Sequence, residues 1–170
     1  MTAAGTMPDA LRDLLASDLA LAALFVVFVL EGAMLMYFMP SELVVPGALA
    51  LLGSSPAEVA AVLGVAVVGA TLGQYALFLV ARRLGREYLL ESRWFRVGED
   101  RLARFEGWFD RWGAPLVFVT NSLLFVRGTL TVPAGLADME DRRFLALSAL
   151  GTAAFESALA GLYLLADATL

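Results

Sequence analysis

The chain has 170 residues, of which 60% are hydrophobic and only 17% are charged, so its composition is that of an integral membrane protein rather than a soluble domain. It contains no cysteine and no histidine, which excludes disulfide frameworks, thiol chemistry, histidine-containing zinc sites and serine–histidine catalysis. Its basic residues are all arginine and its formal net charge is −5, which argues against nucleic acid as a partner.

The first predicted elements are a short soluble head and a membrane span. Residues 1–18 are polar and small, and they lack the basic segment that precedes the apolar core of a secretory signal. Residues 19–38 are long and apolar enough to cross a bilayer as one helix. Glu31 interrupts this span, and an ionisable residue at membrane depth is expected to be functional. The alternative is that Glu31 lies near the far interface and is solvated there.

A proline-broken segment follows over residues 39–53. Pro40 is expected to end the first helix, because proline lacks an amide hydrogen and restricts the residue before it. The apolar part of the segment is only about half as long as a span requires. It contains Pro46 and Gly47 and follows Glu42. The segment is therefore predicted to enter the membrane and return, or to lie in its interface.

Residues 57–81 form a second predicted span, with Ser55 as the N-cap of its helix. Gly69 and Gly73 are one helical turn apart and lie on one face, where they permit the close approach of another backbone. We expect that approach to occur within the monomer. Gln74 adds a polar group to the same face.

Residues 86–112 are predicted to be an amphipathic segment on the cytoplasmic side. Most of the arginines lie between Arg82 and Arg111, and the positive-inside rule places such a loop in the cytoplasm. Apolar side chains recur here at three- and four-residue steps, and all three tryptophans are present. Because tryptophan prefers the headgroup layer, we expect a helix that lies on the inner leaflet. A helix that binds a protein partner is the alternative. Gly98 is expected to divide the segment into two helices.

A second broken segment covers residues 114–137 and contains Pro133 and Gly135. Its one charged residue, Arg127, should face a carboxylate, a wet cavity or an anionic ligand, because a lone cation in hydrocarbon is costly. Broken helices persist at membrane depth only where protein or a cavity satisfies their backbone groups. The charges on either side fit a re-entrant loop better than a span.

Residues 143–166 form the last predicted span, with Glu156 near its middle. The two broken segments share a short pattern, Val-Pro-Gly-Ala-Leu-Ala at 45–50 and Val-Pro-Ala-Gly-Leu-Ala at 132–137. Paired interruptions of this kind indicate an inverted repeat around a transporter's binding site, although two Ala- and Leu-rich segments can also match by chance. The predicted fold is an all-α membrane protein with three or so transmembrane helices, two facing re-entrant loops and a cytoplasmic amphipathic helix.

Three stretches resemble motifs of the DedA family of membrane proteins, whose domain is also known as the SNARE-associated or VTT domain. Residues 38–42 are similar to Pro-x-Pro-x-Glu, and residues 73–82 to Gly-Asp-x-x-x-Tyr-x-x-Gly-Arg. Residues 118–127 align without a gap with Phe-x-Gly-Arg-Phe-x-Pro-x-x-Arg. Gln74 stands where the family has aspartate, and Asn121 stands where it has its first arginine.

The resemblance implies two facing re-entrant loops and the movement of lipids across the bilayer, including polyprenyl phosphate carriers and phosphatidylethanolamine. On this interpretation Arg127 holds a lipid phosphate by charge-assisted hydrogen bonds. The expected substrate-binding residues are Arg127, Glu42, Asn121 and Gln74. Glu31, Glu42 and Glu156 are expected to carry protons or to release the phosphate. A static ion pair between Arg127 and a glutamate is the alternative.

The predicted function is therefore that of a lipid flippase or scramblase without a cofactor or metal. An intramembrane enzyme is a second hypothesis, in which two glutamates would act as acid and base without a histidine. A membrane scaffold that docks through the tryptophan-rich helix is a third. The residues expected to shape the fold are Pro40, Pro46, Gly47, Gly69, Gly73, Pro133 and Gly135.

Overall fold

The computed structural model describes residues 19–36, 41–91, 98–124 and 126–169, and the regular structure in these ranges is helical throughout. The predicted soluble head and Pro40 lie outside the described residues. The helices in chain order are α1 (Ala20–Gly32), a 3-10 turn (Ser41–Leu43), α2 (Val44–Leu52), α3 (Pro56–Glu91), α4 (Glu99–Trp112), α5 (Pro115–Asn121), α6 (Thr131–Leu136) and α7 (Asp141–Asp167). The prediction of an all-α protein is confirmed.

Two of the described helices are long and apolar enough to cross a membrane, judged by length and composition: Pro56–Tyr88 within α3, and Asp141–Asp167, which is α7. Helix α3 begins at the predicted cap. Ser55 N–H donates to Glu58 Oε2 at 2.8 Å, and Glu58 N–H donates to Ser55 Oγ at 3.4 Å, which is a capping box. The helix runs beyond its predicted end, and its backbone leaves the helical conformation at Gly85.

Helix α1 is shorter than predicted, because it has 13 residues and ends at Gly32 instead of continuing to residue 38. A Schellman motif ends it. Met34, with a φ of 58°, donates its N–H to the carbonyl of Glu31, and Leu35 donates to that of Leu30, both at 2.9 Å. The left-handed residue at this point of a helix end is usually glycine. A methionine there gives no sequence signal, so the end of the helix was not foreseen.

The glycine face of α3 packs against α1 within the monomer, as predicted. A Cβ added at Gly69 would lie 2.8 Å from Phe28 Cβ, and one added at Gly73 would lie 2.7 Å from the amide nitrogen of Ala33. Only residues without side chains permit this separation of two helix backbones. The contact places the end of α1 beside the middle of α3, and so brings Glu31 into the bundle.

Both predicted broken segments contain a short helix with proline in its first turn. Pro46 lies in the nine-residue α2, and Pro133 lies in the six-residue α6. Proline is tolerated there because the first amide groups of a helix have no intrahelical partner. Gly135 allows α6 to approach α3, since a Cβ would lie 2.9 Å from Ala81 Cβ, whereas the space around Gly47 is open. A side chain would therefore meet the neighbouring helix at position 135 but not at position 47.

Helix α4 is amphipathic, as predicted. It begins at Glu99, directly after Gly98, where the sequence indicates a division. Leu102 is buried against the bundle, whereas the side chains of Trp108 and Trp112 are exposed. The helix therefore has one face on the protein and carries large aromatic groups on its outer side.

Candidate functional site

The side chain of Arg127 lies between two carboxylates inside the bundle. Its Nη1 is 2.5 Å from Glu156 Oε1, and its Nη2 is 3.5 Å from Glu31 Oε2. The guanidinium carbon lies 4.7 Å from the centre of the Phe155 ring. The side chain of Arg127 is 7% exposed, that of Glu31 14%, and Glu156 is fully buried. Three charged side chains that are distant in sequence thus meet where little of their surface is exposed.

Each member of this charged cluster comes from a different part of the fold. Glu31 lies in the last turn of α1, which the Schellman motif ends, and Glu156 lies inside α7. Arg127 lies in the turns between α5 and α6, next to Gly128, whose φ is 71°. Glycine adopts this left-handed conformation without steric cost. A break between two short helices therefore carries the cation, and two longer helices carry its partners.

Several buried polar atoms of the cluster have no hydrogen-bond partner among the described residues. They are Nε and Nη2 of Arg127 and one carboxylate oxygen, Oε2, of both Glu31 and Glu156, although Arg127 Nη2 and Glu31 Oε2 face each other as an ion pair at 3.5 Å. The hydroxyl of Thr152, one helical turn before Glu156, is also without one in the described part of the chain. A buried polar group without a partner costs about 1–3 kcal/mol, so such groups are expected to bind water or a ligand.

The formal charge of the cluster is negative, since one guanidinium faces two carboxylates. Glu42 is half-buried just before α2, and it is near enough for its charge to act on Glu31. Buried charges are tolerated only when they are paired. The excess negative charge therefore has to be balanced by a proton or by a cation.

A second, neutral network lies beside the cluster. Asn121 Nδ2 donates to Gln74 Oε1 at 2.8 Å and to Ser148 Oγ at 3.3 Å. Ser148 Oγ also donates to Gln74 Oε1. Asn121 Oδ1 accepts a hydrogen bond of 2.9 Å from Gly128 N–H. All three side chains are buried, and they connect α3, α5 and α7.

Arg82 forms a third polar contact region, at the other end of α6. Its Nε is 3.0 Å from Asp138 Oδ1, its Nη1 is 2.5 Å from Asp141 Oδ1, and its Nη2 donates to the Met139 carbonyl. Tyr75 donates its hydroxyl to Asp141 Oδ2 at 2.7 Å. These contacts fix the turn between α6 and α7 to α3. In the sequence, Arg82 belongs to the arginine-rich loop and ends the motif-like stretch 73–82, and neither feature indicates a contact with the acidic turn at 138–141.

The structure thus brings most of the predicted site residues into two adjoining groups. Arg127, Glu31 and Glu156 form the charged cluster, with Glu42 at its edge. Asn121 and Gln74 contact each other rather than Arg127, and Ser148, which the sequence analysis missed, joins them. A serine inside an apolar helix is a weak signal, and only the fold shows that it faces an asparagine.

Comparison with known proteins links these features to a family. The family model for the VTT domain matches residues 21–162, which is most of the chain. The chain is similar to undecaprenyl phosphate transporter A of Staphylococcus aureus (strain NCTC 8325 / PS 47), with 25% identity over 136 residues, 77% of this chain and 66% of that protein. It is also similar to undecaprenyl phosphate transporter A of Bacillus subtilis (strain 168), with 29% identity over 85 residues, 49% of this chain and 43% of that protein.

A further relative carries a different name. The alkaline phosphatase-like protein of Lactococcus lactis subsp. cremoris (strain MG1363) is 32% identical over 93 residues, which are 51% of this chain and 44% of that protein. The chain therefore spans 66% or less of the length of these relatives. No solved structure matches the chain.

Proposed function

We propose that this chain, which belongs to the VTT-domain family of membrane proteins, also called the DedA family, moves a phosphate-bearing lipid across the bilayer. The observation that carries the proposal is the buried guanidinium of Arg127, whose Nε and Nη2 have no hydrogen-bond partner among the described residues. Among the described residues Nε has no partner, and Nη2 has the 3.5 Å ion pair with Glu31 Oε2 but no hydrogen bond. These two donors on one planar group match two oxygens of a phosphate. The relatives named undecaprenyl phosphate transporter A support a lipid carrier as the substrate class.

The proposed topology places the two broken segments in the membrane as facing re-entrant loops related by an inverted repeat. The shortness of α2, α5 and α6 supports this, since none of them is long enough to span a bilayer. Helix α4 lies on the cytoplasmic leaflet in this arrangement, with its exposed tryptophans among the headgroups. The lipid headgroup passes Arg127 between the loops while its tails stay in the bilayer.

Electrostatics couples phosphate binding to proton binding in this mechanism. A phosphate at Arg127 competes with Glu156 for the guanidinium and adds negative charge beside Glu31. Protonation of these carboxylates removes the repulsion, and their deprotonation on the other side of the membrane favours release. Glu42, at the half-buried edge of the cluster, is placed to exchange the proton with water. Asn121 and Gln74 act on the substrate through Arg127 and not by direct contact.

Transport accounts for the charged cluster better than the two other hypotheses do. A lipid-hydrolysing enzyme needs one carboxylate free to act on water, whereas Glu31 and Glu156 both face the arginine. A scaffold that docks through α4 gives no role to the buried guanidinium of Arg127, whose Nε lacks a hydrogen-bond partner among the described residues. We therefore propose that the chain is a transporter and not an enzyme.

The proposal is tested with purified protein in phosphatidylcholine vesicles that contain undecaprenyl phosphate in both leaflets. A soluble phosphatase added outside hydrolyses only the lipid phosphates that it reaches. We expect the inner-leaflet pool to become accessible in vesicles with protein, with or without an imposed pH gradient, and to stay protected in protein-free vesicles. Continued protection of that pool under both conditions would refute transport of this lipid. Phosphate release without added phosphatase would show an enzyme instead.

A further inference from the structure

We infer that Asn121 is a positioning residue for Arg127, and that Gln74 and Ser148 hold it in place as a neutral network. The inference rests on the proposed role of Arg127 in phosphate binding. Three uncharged side chains then determine where the guanidinium lies, although the structure shows no hydrogen bond from any of them to it.

The hydrogen bonds of Asn121 connect the frame of the bundle to the turn that carries the arginine. Its Nδ2 donates to Gln74 on α3 and to Ser148 on α7, while its Oδ1 accepts from Gly128 N–H at 2.9 Å. An asparagine side chain has both a donor and an acceptor, so its amide group can bind the two helices while its carbonyl oxygen binds the turn. Buried networks that are fully satisfied in this way are rigid.

The bond to Gly128 acts directly on Arg127. The amide hydrogen of Gly128 belongs to the planar peptide unit that joins Arg127 to Gly128, so Asn121 fixes the orientation of that plane. Arg127 lies outside the regular helices, between α5 and α6, and therefore lacks the hydrogen-bond ladder that would otherwise fix its backbone. The position of its side chain then depends on this contact as well as on the ion pairs with Glu156 and Glu31.

The neutrality of the network has its own consequence. Gln74 and Asn121 stand where the motifs described above have an aspartate and an arginine, and here they are hydrogen-bonded to each other. Exchanging both members of a buried charged pair for two amides leaves no unpaired charge. Arg127 is then the sole cation of the buried cluster within the described ranges, so its placement sets the affinity of the site for an anion.

A double-mutant cycle separates this positioning role from a purely structural one. Asn121→Ala, Arg127→Lys and the combined variant are compared in the vesicle assay, with undecaprenyl phosphate content varied to obtain the half-saturating amount. We expect Asn121→Ala to raise that amount by roughly tenfold, the factor that corresponds to the loss of one well-placed hydrogen bond. In the Arg127→Lys background the planar guanidinium is already absent, so Asn121→Ala should raise the half-saturating amount by less than about twofold.

Thr120→Val is the matched control. Thr120 neighbours Asn121 in α5 and is also buried, but its hydroxyl donates to the carbonyls of Leu116 and Val117 in its own helix. This variant should leave the half-saturating amount unchanged in both backgrounds. Ser148→Ala supplies a second cycle with Arg127→Lys, because it weakens the network without opening the Gly128 contact. If Asn121→Ala does not fold, the Ser148 cycle decides.

The outcomes separate a failure of the inference about Asn121 from a failure of the proposed function. If Arg127→Lys lowers transport but the effect of Asn121→Ala multiplies with it, Asn121 acts independently and the inference is overturned. The same holds if Thr120→Val and Asn121→Ala change transport equally, since the role is then general packing. If Arg127→Lys transports like the parent, the proposed role of the arginine itself fails.

Discussion

The buried pair of Arg127 and Glu156 gives a prediction that separates stability from function. Removing the cation alone, in Arg127→Met, leaves the fully buried Glu156 carboxylate and its neighbour Glu31 without a counter-charge. Breaking a buried ion pair in this way costs about 3–5 kcal/mol. On the scale of soluble domains of 150–250 residues, that loss lowers the melting temperature by roughly 6–20 °C.

The double variant Arg127→Met/Glu156→Leu should recover most of this loss, because it replaces the closer, 2.5 Å pair by apolar side chains of similar size. It leaves without a counter-charge only Glu31, which is 14% exposed. Such replacements of buried pairs are often neutral or stabilising by about 1–4 kcal/mol. Thermal unfolding in detergent, followed by circular dichroism, measures both variants against the parent. Transport should be absent in both. A double variant that is as unstable as Arg127→Met would refute the pairing argument, and one that transports would refute the functional role of the cluster.

Three further predictions concern packing, topology and proton transfer. Gly73→Ala should destabilise the protein by about 1–3 kcal/mol, because a Cβ there meets the backbone of α1. Gly64→Ala, in the same helix but with open space around it, should not, and equal unfolding temperatures for the two variants would contradict the packing argument. Single cysteines at Ser54 and Glu140 should be labelled from opposite sides of the membrane, and labelling from one side would exclude the proposed loops. Glu42→Gln should keep the protein level but reduce the pH dependence of transport; an unaltered pH profile would place the proton role on the carboxylates beside the arginine.

Local patterns in the sequence predicted much of the fold. The N-cap at Ser55, the glycine face of α3 and the division of the arginine-rich segment at Gly98 each depend on residues within a few positions of one another. The short helices with proline in the first turn also follow from local rules, because proline is compatible with only a few positions of a helix. Such elements can be predicted from the neighbouring sequence alone, without knowledge of the rest of the fold.

Contacts between distant residues were not predictable in the same way. The sequence indicated that Arg127 needs a carboxylate, but three glutamates in apolar surroundings were available as partners. The structure pairs it with Glu156 most closely, because α5 packs on α7, and with Glu31, because the glycine face draws α1 against α3. The residues that neighbour Arg127 in the chain give no indication of either helix contact.

The contact between Asn121 and Gln74 also changes the interpretation of these two residues. Taken one at a time, each departs from a motif and suggests a lost function. Side by side and hydrogen-bonded at 2.8 Å, they form a neutral pair at the two positions where the motifs have opposite charges. The spacing within either motif does not predict that the two residues meet, since they lie on different helices, α3 and α5.

Transport by Arg127→Lys tests the central claim most directly. Lysine keeps the positive charge and can still pair with Glu156, so the protein should fold with a melting temperature close to that of the parent. It cannot offer the two further donors of arginine: Nε, which has no hydrogen-bond partner among the described residues, and Nη2, which a phosphate would bind in place of the 3.5 Å contact with Glu31. We predict that, in the vesicle assay with undecaprenyl phosphate, the variant exposes the inner-leaflet pool at least roughly tenfold more slowly than the parent, the loss expected for a missing charge-assisted hydrogen bond. A folded Arg127→Lys protein that moves the lipid at the parental rate would contradict the account.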